Sequence, residues 1–423
     1  MKRMKASRIY GYILHQIYNE RRSNWALLAE LLIVSCIVWY LVDSSYTIIV
    51  RAMEPTGFDH THCYRVELSR FDTDAVGYDP THPEDADVMI ADRLTILDRL
   101  KHDEDIEEAA FSLRNDPYDP SSIGHSVKYD TLEAFPRHIF CQPDFIKVFR
   151  YQSTDGKTPE QLAELLKDGN VFISKGMFDE EFDVSKLLGK EVFSGNESAF
   201  MHVAAVIQPV KREDREEFIK TKVIVSLLDQ KSLAEYKGVT LSIRVKESRA
   251  KGFEERFRQK IKGQKMRVGN QFVSNIIPYS KRQKEAAETA NQQIRYNTVA
   301  IIFFLINVFL GLLGTFWFRT QHRFPEIGLQ KAIGATNTDI TLRLLAEGVL
   351  LLTIAFLPSL LIDFGMGYNE LTAYYRGVTL ETNRFIVCAA IAYALMLTII
   401  ALGIWFPALR ATKANPVDVL RGE

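Results

Sequence analysis

Four segments of the chain are each about 20 residues long and almost entirely apolar, at 25–49, 298–318, 344–364 and 385–406. A helix needs about 20 mostly apolar residues to cross the hydrocarbon core of a membrane. The second segment, TVAIIFFLINVFLGLLGTFWF, contains no charged residue. Four such segments with basic flanks predict an α-helical membrane protein with four transmembrane spans, rather than the buried helices of a soluble protein.

The overall composition hides this pattern. The 423 residues are 47% hydrophobic and 25% charged, with a formal net charge of -1, which resembles a soluble protein. The apolar residues, however, are concentrated in the four segments, while the stretch 51–290 between the first two is rich in charge. A near-neutral net charge gives no support to nucleic-acid binding, so no nucleic acid is expected as a partner.

Basic residues predict the orientation of the spans. They precede the first segment, fill the loop after the second and recur in the tail: Lys2, Arg3, Lys5, Arg8, Arg21, Arg22, then Arg319, Arg323, Lys331, Arg343, then Arg410, Lys413 and Arg421. The positive-inside rule therefore predicts that both termini and the loop 319–343 are cytoplasmic, and that 51–290 lies outside. The first apolar run is too long for a cleavable signal peptide, and no small-x-small site follows it.

The predicted domain organisation follows from these boundaries. Residues 1–24 form a cytoplasmic, interfacial amphipathic helix, because 8–22 (RIYGYILHQIYNERR) carry an apolar stripe with basic flanks; a simple extension of the first span is the alternative. The remaining parts are span 1 (25–50), an extracytoplasmic domain (51–290), span 2 (291–318), a cytoplasmic loop (319–343), span 3 (344–364), a short outer loop (365–384), span 4 (385–406) and a cytoplasmic tail (407–423).

The domain between the first two spans mixes strand and helix patterns. Residues 63–71 alternate like a half-buried strand, and 88–101 have helical spacing. Short β-rich runs follow at 171–174, 201–207, 222–228 and 239–245. These patterns predict an α+β domain with two lobes. From residue 280 a charged, helix-favouring stretch without Gly or Pro predicts a continuous helical stalk that leads into the second span.

The same domain offers few candidates for chemistry. His60, His62 and Cys63 form the sequence HTHC, which can supply metal ligands but is more simply a polar approach to a strand, since no further cluster completes a site. Cys63 and Cys141 leave open a disulfide in an oxidising compartment. There is no GxSxG and no HExxH, so we expect no catalytic residue, no metal site and no cofactor bound by this chain.

Three acidic residues, Glu30, Glu347 and Asp363, lie in or near the apolar segments. A charge at the centre of a membrane helix costs about 2.5–3.5 kcal/mol on insertion scales. We therefore expect all three to sit close enough to the membrane surfaces to stay hydrated; lining a conduit is the alternative.

The cytoplasmic loop contains the pattern of a short helix, PEIGLQKAIG at 325–334. Pro325 suits the first helical position, Glu326 favours the positive end of the helix dipole, and Gly334 suits the C-terminal cap. An apolar surface is predicted from Ile327, Leu329, Ala332 and Ile333. Thr336 or Asn337 can cap the next helix. Such a helix can dock into a groove on a cytoplasmic partner, although an ordinary interfacial linker has the same pattern.

This loop and the tail resemble the MacB/FtsX-type permeases of ABC transporters. PEIGLQKAIGATNTDI (325–340) is similar to the family pattern R-E-I-G-x-R-K-A-x-G-A-x-x-x-D-I, and PALRATKANPVDVLRGE (407–423) resembles the family's C-terminal pattern, so that 298–423 looks like an FtsX-like region. Runs at 144–149, 171–174, 187–192 and 203–207 resemble the MacB-type periplasmic core domain in their order. The resemblance covers nearly the whole chain.

The resemblance implies a role for the short helix. In that family the corresponding segment is the coupling helix that sits on the ATPase, which here implies an ATPase-coupling set of Pro325, Glu326, Ile327, Gly328, Leu329, Lys331, Ala332, Ile333 and Gly334. Pro325 and Gln330 stand where the family usually has cations. Ion pairs with the ATPase are therefore either absent or supplied by Arg323 and Lys331.

The resemblance also implies partners and function. The chain contains no GxxxxGK[ST] phosphate loop, so the expected partner is a separate cytoplasmic ABC ATPase that uses ATP-Mg, while the chain itself is a non-catalytic subunit. A second permease copy (identical or related), membrane lipids, a periplasmic adaptor and an outer-membrane channel are further expected partners in a bacterial inner membrane. The implied function is mechanotransmission for export of a peptide, antibiotic or similar substrate. A LolC/LolE-like lipoprotein-releasing permease and an FtsX-like regulator of a cell-wall hydrolase are the alternatives.

Overall fold

The structure is a computed structural model. It describes residues 15, 18–19, 21–114, 116–119, 121, 123–178, 182–195, 199–214, 216–234, 238–369, 371 and 380–412, with the side chains of 21–23, 324 and 411 left out. Most of the predicted interfacial helix (8–22) and the tail from 413 onward lie outside the described residues. The chain divides into two compact units, which we call the helical domain (Met1–Ile49 and Asn291–Glu423) and the large domain (Val50–Ala290).

Within the described part of the chain, four helices are long and apolar enough to cross a membrane, as predicted. They are α1 (Arg21–Met53), α6 (Tyr279–His322), α8 (Asn337–Tyr368) and α9 (Thr382–Thr412). The described core of the helical domain consists of apolar residues from all four, among them Trp39, Phe316, Leu351 and Met396. Helix α6 is continuous over 44 residues, which confirms the predicted helical run from the stalk into the second span.

The large domain is built on a mixed sheet of twelve strands in the order β11-β12-β1-β10-β2-β5-β9-β6-β8-β7-β3-β4. The strands are β1 (Cys63–Arg70), β2 (Ile106–Leu113), β3 (Val127–Tyr129), β4 (Leu132–Ala134), β5 (Arg137–Cys141), β6 (Val171–Ser174), β7 (Glu191–Ser194), β8 (Ala199–Ile207), β9 (Val223–Leu227), β10 (Val239–Val245), β11 (Arg267–Val268) and β12 (Gln271–Pro278). Four further helices accompany it: α2 (Ala86–Lys101), α3 (Asp144–Val148), α4 (Pro159–Lys167) and α5 (Phe253–Lys262).

Local sequence explains where several of these elements begin. Asp85 caps α2 by accepting a hydrogen bond from the main-chain N–H of Val88, and Thr158 and Gln161 form a capping box at the start of α4. Both satisfy main-chain groups that lack a partner within the helix. Most neighbouring strands pair antiparallel, but β5 with β9 and β6 with β8 are parallel.

The strand and helix predictions for the large domain are confirmed at 63–71, 88–101, 171–174, 201–207, 222–228 and 239–245, each within a few residues. The strands join into one hydrogen-bonded order, and three clusters of buried apolar residues form the described core of the domain. Cys63 and Cys141 are both buried and unpaired, so the disulfide does not form in this structure.

Candidate coupling helix and the ion pairs around it

The predicted short helix is present as α7 (Phe324–Ala332). Pro325 lies in its first turn, where a missing main-chain N–H costs nothing. At the other end, Gly334 has φ of 101°, a conformation that glycine adopts without strain. The N–H of Gly334 donates to the carbonyl of Lys331 at 2.9 Å, and that of Ala335 donates to Gln330 at 2.9 Å, which satisfies the last carbonyls of the helix.

The next helix begins with a capping box. The Thr336 hydroxyl accepts a hydrogen bond from the N–H of Asp339 at 3.2 Å, and the Asp339 carboxylate accepts one from the N–H of Thr336 at 3.0 Å. Thr336 is thus the N-cap of α8, one of the two candidates predicted from the sequence. Together, Gly334 and this cap fix the turn between α7 and α8.

Helix α7 has one exposed apolar face. Pro325, Leu329, Ala332 and Ile333 are exposed, and their spacing of four, three and one residues places them on one side of the helix. The two large side chains are mostly accessible, at 55% for Leu329 and 68% for Ile333. The prediction of an apolar surface on this helix therefore holds for these residues.

Ile327 is different, and its predicted place on that surface is wrong. Its side chain is 6% exposed and belongs to the hydrophobic core of the helical domain. Gly328 is buried beside it. Ile327 lies nearly opposite Leu329 on α7 and Gly328 lies to one side of it, because a helix turns by about 100° per residue. Ile327 therefore anchors the helix in the core of the helical domain.

A buried ion-pair cluster lies just before α7. The two guanidinium groups of Arg319 and Arg323 donate to the Glu347 carboxylate, each at 2.9 Å and each to a different oxygen. Arg319 also donates to the side-chain oxygen of Asn24. The Glu347 side chain is only 2% exposed. This cluster joins the ends of α1 and α6 to α8.

Two further contacts attach α7 itself to α8 and α9. The Glu326 carboxylate accepts hydrogen bonds from Arg343 of α8 at 3.1 Å and from Gln330 at 3.0 Å. The Lys331 ammonium donates to the main-chain carbonyl of Thr412, the last residue of α9. The sequence left two alternatives for ion pairs with an ATPase: that they are absent, or that Arg323 and Lys331 supply them. In this structure both side chains are bound within the helical domain.

The predicted hydration of the acidic residues in the spans is wrong for two of the three. Glu347 and Asp363 are buried, at 2% and 0% exposure, whereas Glu30 is partly exposed. For Glu347 the physical reason is the pair of arginines, since a buried carboxylate is tolerated where cations and hydrogen bonds compensate it. Sequence inspection missed this cluster. The available signal was the opposite charge of Arg319 and Glu347 near the same ends of consecutive spans.

The HTHC sequence does not build a metal site. His60, His62 and Cys63 line a cavity of about 310 Å³, but no group of three or more His, Cys, Asp or Glu suited to a metal occurs among the described residues. The Cys63 thiol donates to the carbonyl of Val148 at 3.2 Å. Burial raises the pKa of Cys63 to about 12, so the thiolate that would bind a metal is disfavoured.

The architecture defines a class: a membrane protein with four membrane-spanning helices and a large α/β domain between the first two. Within it, residues 298–416 match the FtsX-like permease C-terminal family. They overlap the region predicted at 298–423, and the predicted resemblance to MacB/FtsX-type ABC transporter permeases is confirmed.

Several curated proteins are similar to part of the chain. The macrolide export ATP-binding/permease protein MacB of Chlorobaculum tepidum is 30% identical over 113 residues, which is 27% of this chain and 17% of that protein. The uncharacterized ABC transporter permease YknZ of Bacillus subtilis is 29% identical over 114 residues, 27% of this chain and 28% of that protein. The chain thus matches under a third of the length of either relative.

Two solved structures are similar to the chain more broadly. The extracellular domain of YknZ from Gram-positive bacteria covers 50% of this chain and all of its own, with 14% identity and a TM-score of 0.31. The periplasmic region of MacB from Actinobacillus actinomycetemcomitans covers 58% of this chain and 97% of its own, with 12% identity and a TM-score of 0.28.

Proposed function

We propose that this chain is the permease subunit of an ABC-type transporter that works by mechanotransmission. A separate cytoplasmic ATPase hydrolyses ATP-Mg and moves α7, and the motion reaches the large domain, which drives export of a peptide, antibiotic or similar substrate. The observation that carries the proposal is the division of α7 into an exposed apolar face and an opposite face fixed to the spans.

The exposed face is suited to a protein partner. Leu329, Ala332 and Ile333 present apolar surface next to Pro325, and burying about 100 Å² of such surface contributes about 2.5 kcal/mol. Helices of this kind bind in grooves through residues spaced by three and four. We propose that the ATPase supplies that groove. Its contact is then the exposed face of α7, rather than all the residues predicted for ATPase coupling between 325 and 334.

The opposite face determines what a displacement of α7 moves. Ile327 is inserted in the core, Glu326 is bound to α8, and Lys331 is bound to the end of α9. The Glu347 cluster ties the preceding turn of α6 to α8 and α1. Packed interfaces shift as units rather than deforming continuously. We therefore propose that α7 transmits its displacement to all four spans together.

The remaining partners follow from the same proposal. Both termini and α7 face the cytoplasm and the large domain lies outside the inner membrane, in agreement with the distribution of Lys and Arg. The chain itself is non-catalytic. A second permease copy completes the membrane part, and an adaptor and an outer-membrane channel receive the substrate.

The proposal is tested by placing a charge on the exposed face of α7. Leu329→Asp or Ile333→Asp should lower the affinity for the ATPase by about 10-fold or more, because an unpaired carboxylate would have to be desolvated in an apolar contact. Thr338→Asp is the matched control: it adds the same charge at an exposed position in the first turn of α8, where an acid suits the helix dipole.

The measurement has two parts. Affinity purification of the full chain from its native membrane in mild detergent should recover an ATPase with a phosphate loop. The stimulation of that ATPase by each variant is then compared at equal amounts of folded permease. Purification without any such ATPase would contradict the proposal. Equal stimulation by the Leu329 and Thr338 variants would remove α7 as the contact.

A further inference from the structure

Asp363 is a buried acid that the arginine cluster around Glu347 does not explain. It lies in the half of α8 remote from α7 and is fully buried. Neither oxygen of its side chain has a hydrogen-bond partner in the described part of the chain. An ionised carboxylate in such a place would be strongly unfavourable, because nothing replaces the water that it loses. The burial of Asp363 therefore needs another physical reason.

Two other buried acids show how the helical domain compensates a charge. Glu347 receives two guanidinium groups, as described above. Asp43 of α1 accepts a hydrogen bond from Arg384 of α9 at 2.9 Å, and these two side chains are only 4% and 9% exposed. Each of these acids is therefore paired with a cation. Asp363 has no such pair among the residues that the structure describes.

The helices around Asp363 bring it a thiol but no positive charge. From α1, the Cys36 thiol faces Asp363, and its sulfur lies 3.9 Å from the main-chain oxygen of Ser359, one turn before Asp363 in α8. From α9, the cation at this end is Arg384, which is already bound to Asp43. In the described ranges no titratable group besides Cys36 interacts with Asp363.

Hydrogen bonds do not compensate Asp363 either. The Ser35 hydroxyl and the Trp39 indole N–H lie within one turn of Cys36 on α1, and both are buried. Neither forms a hydrogen bond to Asp363 or to any other described group. An environment without a cation and without donated hydrogen bonds favours the neutral form of a carboxyl group over the charged form.

We infer that Asp363 is a proton-binding site of the helical domain, which holds a proton while α1 and α8 are packed together and releases it when they separate. On separation, water reaches the carboxyl group and the O–H bond breaks. The electron pair stays on the carboxylate oxygen, and the proton passes to water. By linkage, a lower pH then stabilises the packed arrangement. The inference does not depend on the proposed ATPase partner.

The first test makes the same chemical change at two buried acids. Asp363→Asn keeps a neutral side chain of the same shape, so the folding equilibrium constant of the full chain at acid pH should fall by no more than about 10-fold. Asp43→Asn is the matched control. It leaves Arg384 without its carboxylate and should lower the constant by about 100-fold or more. Both constants are measured by reversible unfolding in mixed micelles.

The second test follows the proton through its effect on stability. An exposed aspartate ionises above about pH 4, so unfolding at higher pH releases the proton of Asp363. The unfolding constant should therefore rise by up to about 10-fold per pH unit relative to that of Asp363→Asn, until the folded chain also loses the proton. Asp116 of the large domain acts in the same direction, so both proteins compared carry Asp116→Asn.

Infrared spectroscopy reads the protonation state directly. At neutral pH exposed carboxyl groups are ionised. The spectrum of the full chain minus that of Asp363→Asn, again with Asp116→Asn in both, should contain the carbonyl stretching band of one protonated carboxyl group.

The outcomes distinguish a proton from a counter-ion. The infrared band together with the pH-dependent difference supports the inference. A missing band, with Asp363→Asn as destabilising as Asp43→Asn, overturns it. Arg376→Gln extends the test to the sequence stretch 372–379, which lies outside the described residues. It should leave stability unchanged, and a loss as large as that of Asp43→Asn would also overturn the inference. All these measurements use the chain alone, so their failure leaves the ATPase contact of α7 untouched.

Discussion

Glu347→Leu is the substitution with the largest expected effect on the helical domain. The variant removes the carboxylate that accepts hydrogen bonds from Arg319 and Arg323, and it leaves two guanidinium groups close together. Their side chains are 9% and 14% exposed, so neither is well placed to recover hydration without moving.

The magnitude follows from this burial. Removing one member of a buried ion pair costs about 3–5 kcal/mol, mainly because the remaining charge is left uncompensated. By contrast, the pair of Glu326 and Arg343 is 40% and 23% exposed, and Glu326→Gln should cost at most about 1 kcal/mol. Replacing Glu347 and Arg319 together by leucine should recover part of the loss, since it removes one of the two guanidinium charges that lose the carboxylate, while that of Arg323 remains.

The assay is reversible unfolding of the full chain in mixed micelles, with the free energy of unfolding measured for each single variant and for the double variant. Glu326→Gln serves as the control for loss of a carboxylate at the same end of the helices. A Glu347→Leu variant that is no less stable than Glu326→Gln would refute the reasoning. If the double variant of Glu347 and Arg319 were less stable than both single variants, Arg319 would have another essential partner.

Two predictions concern the large domain. Burial raises the pKa of Asp116 to about 6, so the contribution of this residue to stability should be greatest below about pH 4 and fall by up to about 3 kcal/mol as the pH rises through 6. Asp116→Asn should remove that loss, which the pH dependence of the unfolding midpoint would show; an unchanged dependence would contradict the assignment. Gly57→Ala should be strongly destabilising, because its Cβ would lie 1.9 Å from the carbonyl oxygen of Pro209 and its φ is +81°. Gly156→Ala, with φ of +83° and no atom within 4 Å, should cost only about 1 kcal/mol, and equal thermal shifts for the two would refute the steric argument.

The positions of the spans and of most strands could be predicted because each depends on a local pattern. The run 298–318 is apolar throughout, and 239–245 alternates as a strand does. The order of the strands in the sheet could not be predicted from the sequence. The parallel pairs β5 with β9 and β6 with β8 join segments far apart in the sequence, and no local pattern records which buried strands become neighbours.

Helix α7 shows the same limit within a single element. Its start, its end and the cap at Thr336 were predictable because Pro, Gly and Thr act on the main chain beside them. Which apolar side chain faced inward was not. Ile327 and Leu329 are equally hydrophobic and two residues apart, and the helix that buries one exposes the other. The prediction that Glu347 stays hydrated failed for a related reason, because its burial depends on arginines that lie outside its own helix.

The contact from Lys331 to Thr412 has a consequence for how the chain can diverge. The acceptor is a main-chain carbonyl of α9. Any residue type at 412 offers the same oxygen, so substitutions there are neutral for this contact. An insertion or deletion within α9 would carry the carbonyl away from the lysine. During evolution, position 412 should therefore accept many residue types, whereas the length of α9 should be conserved.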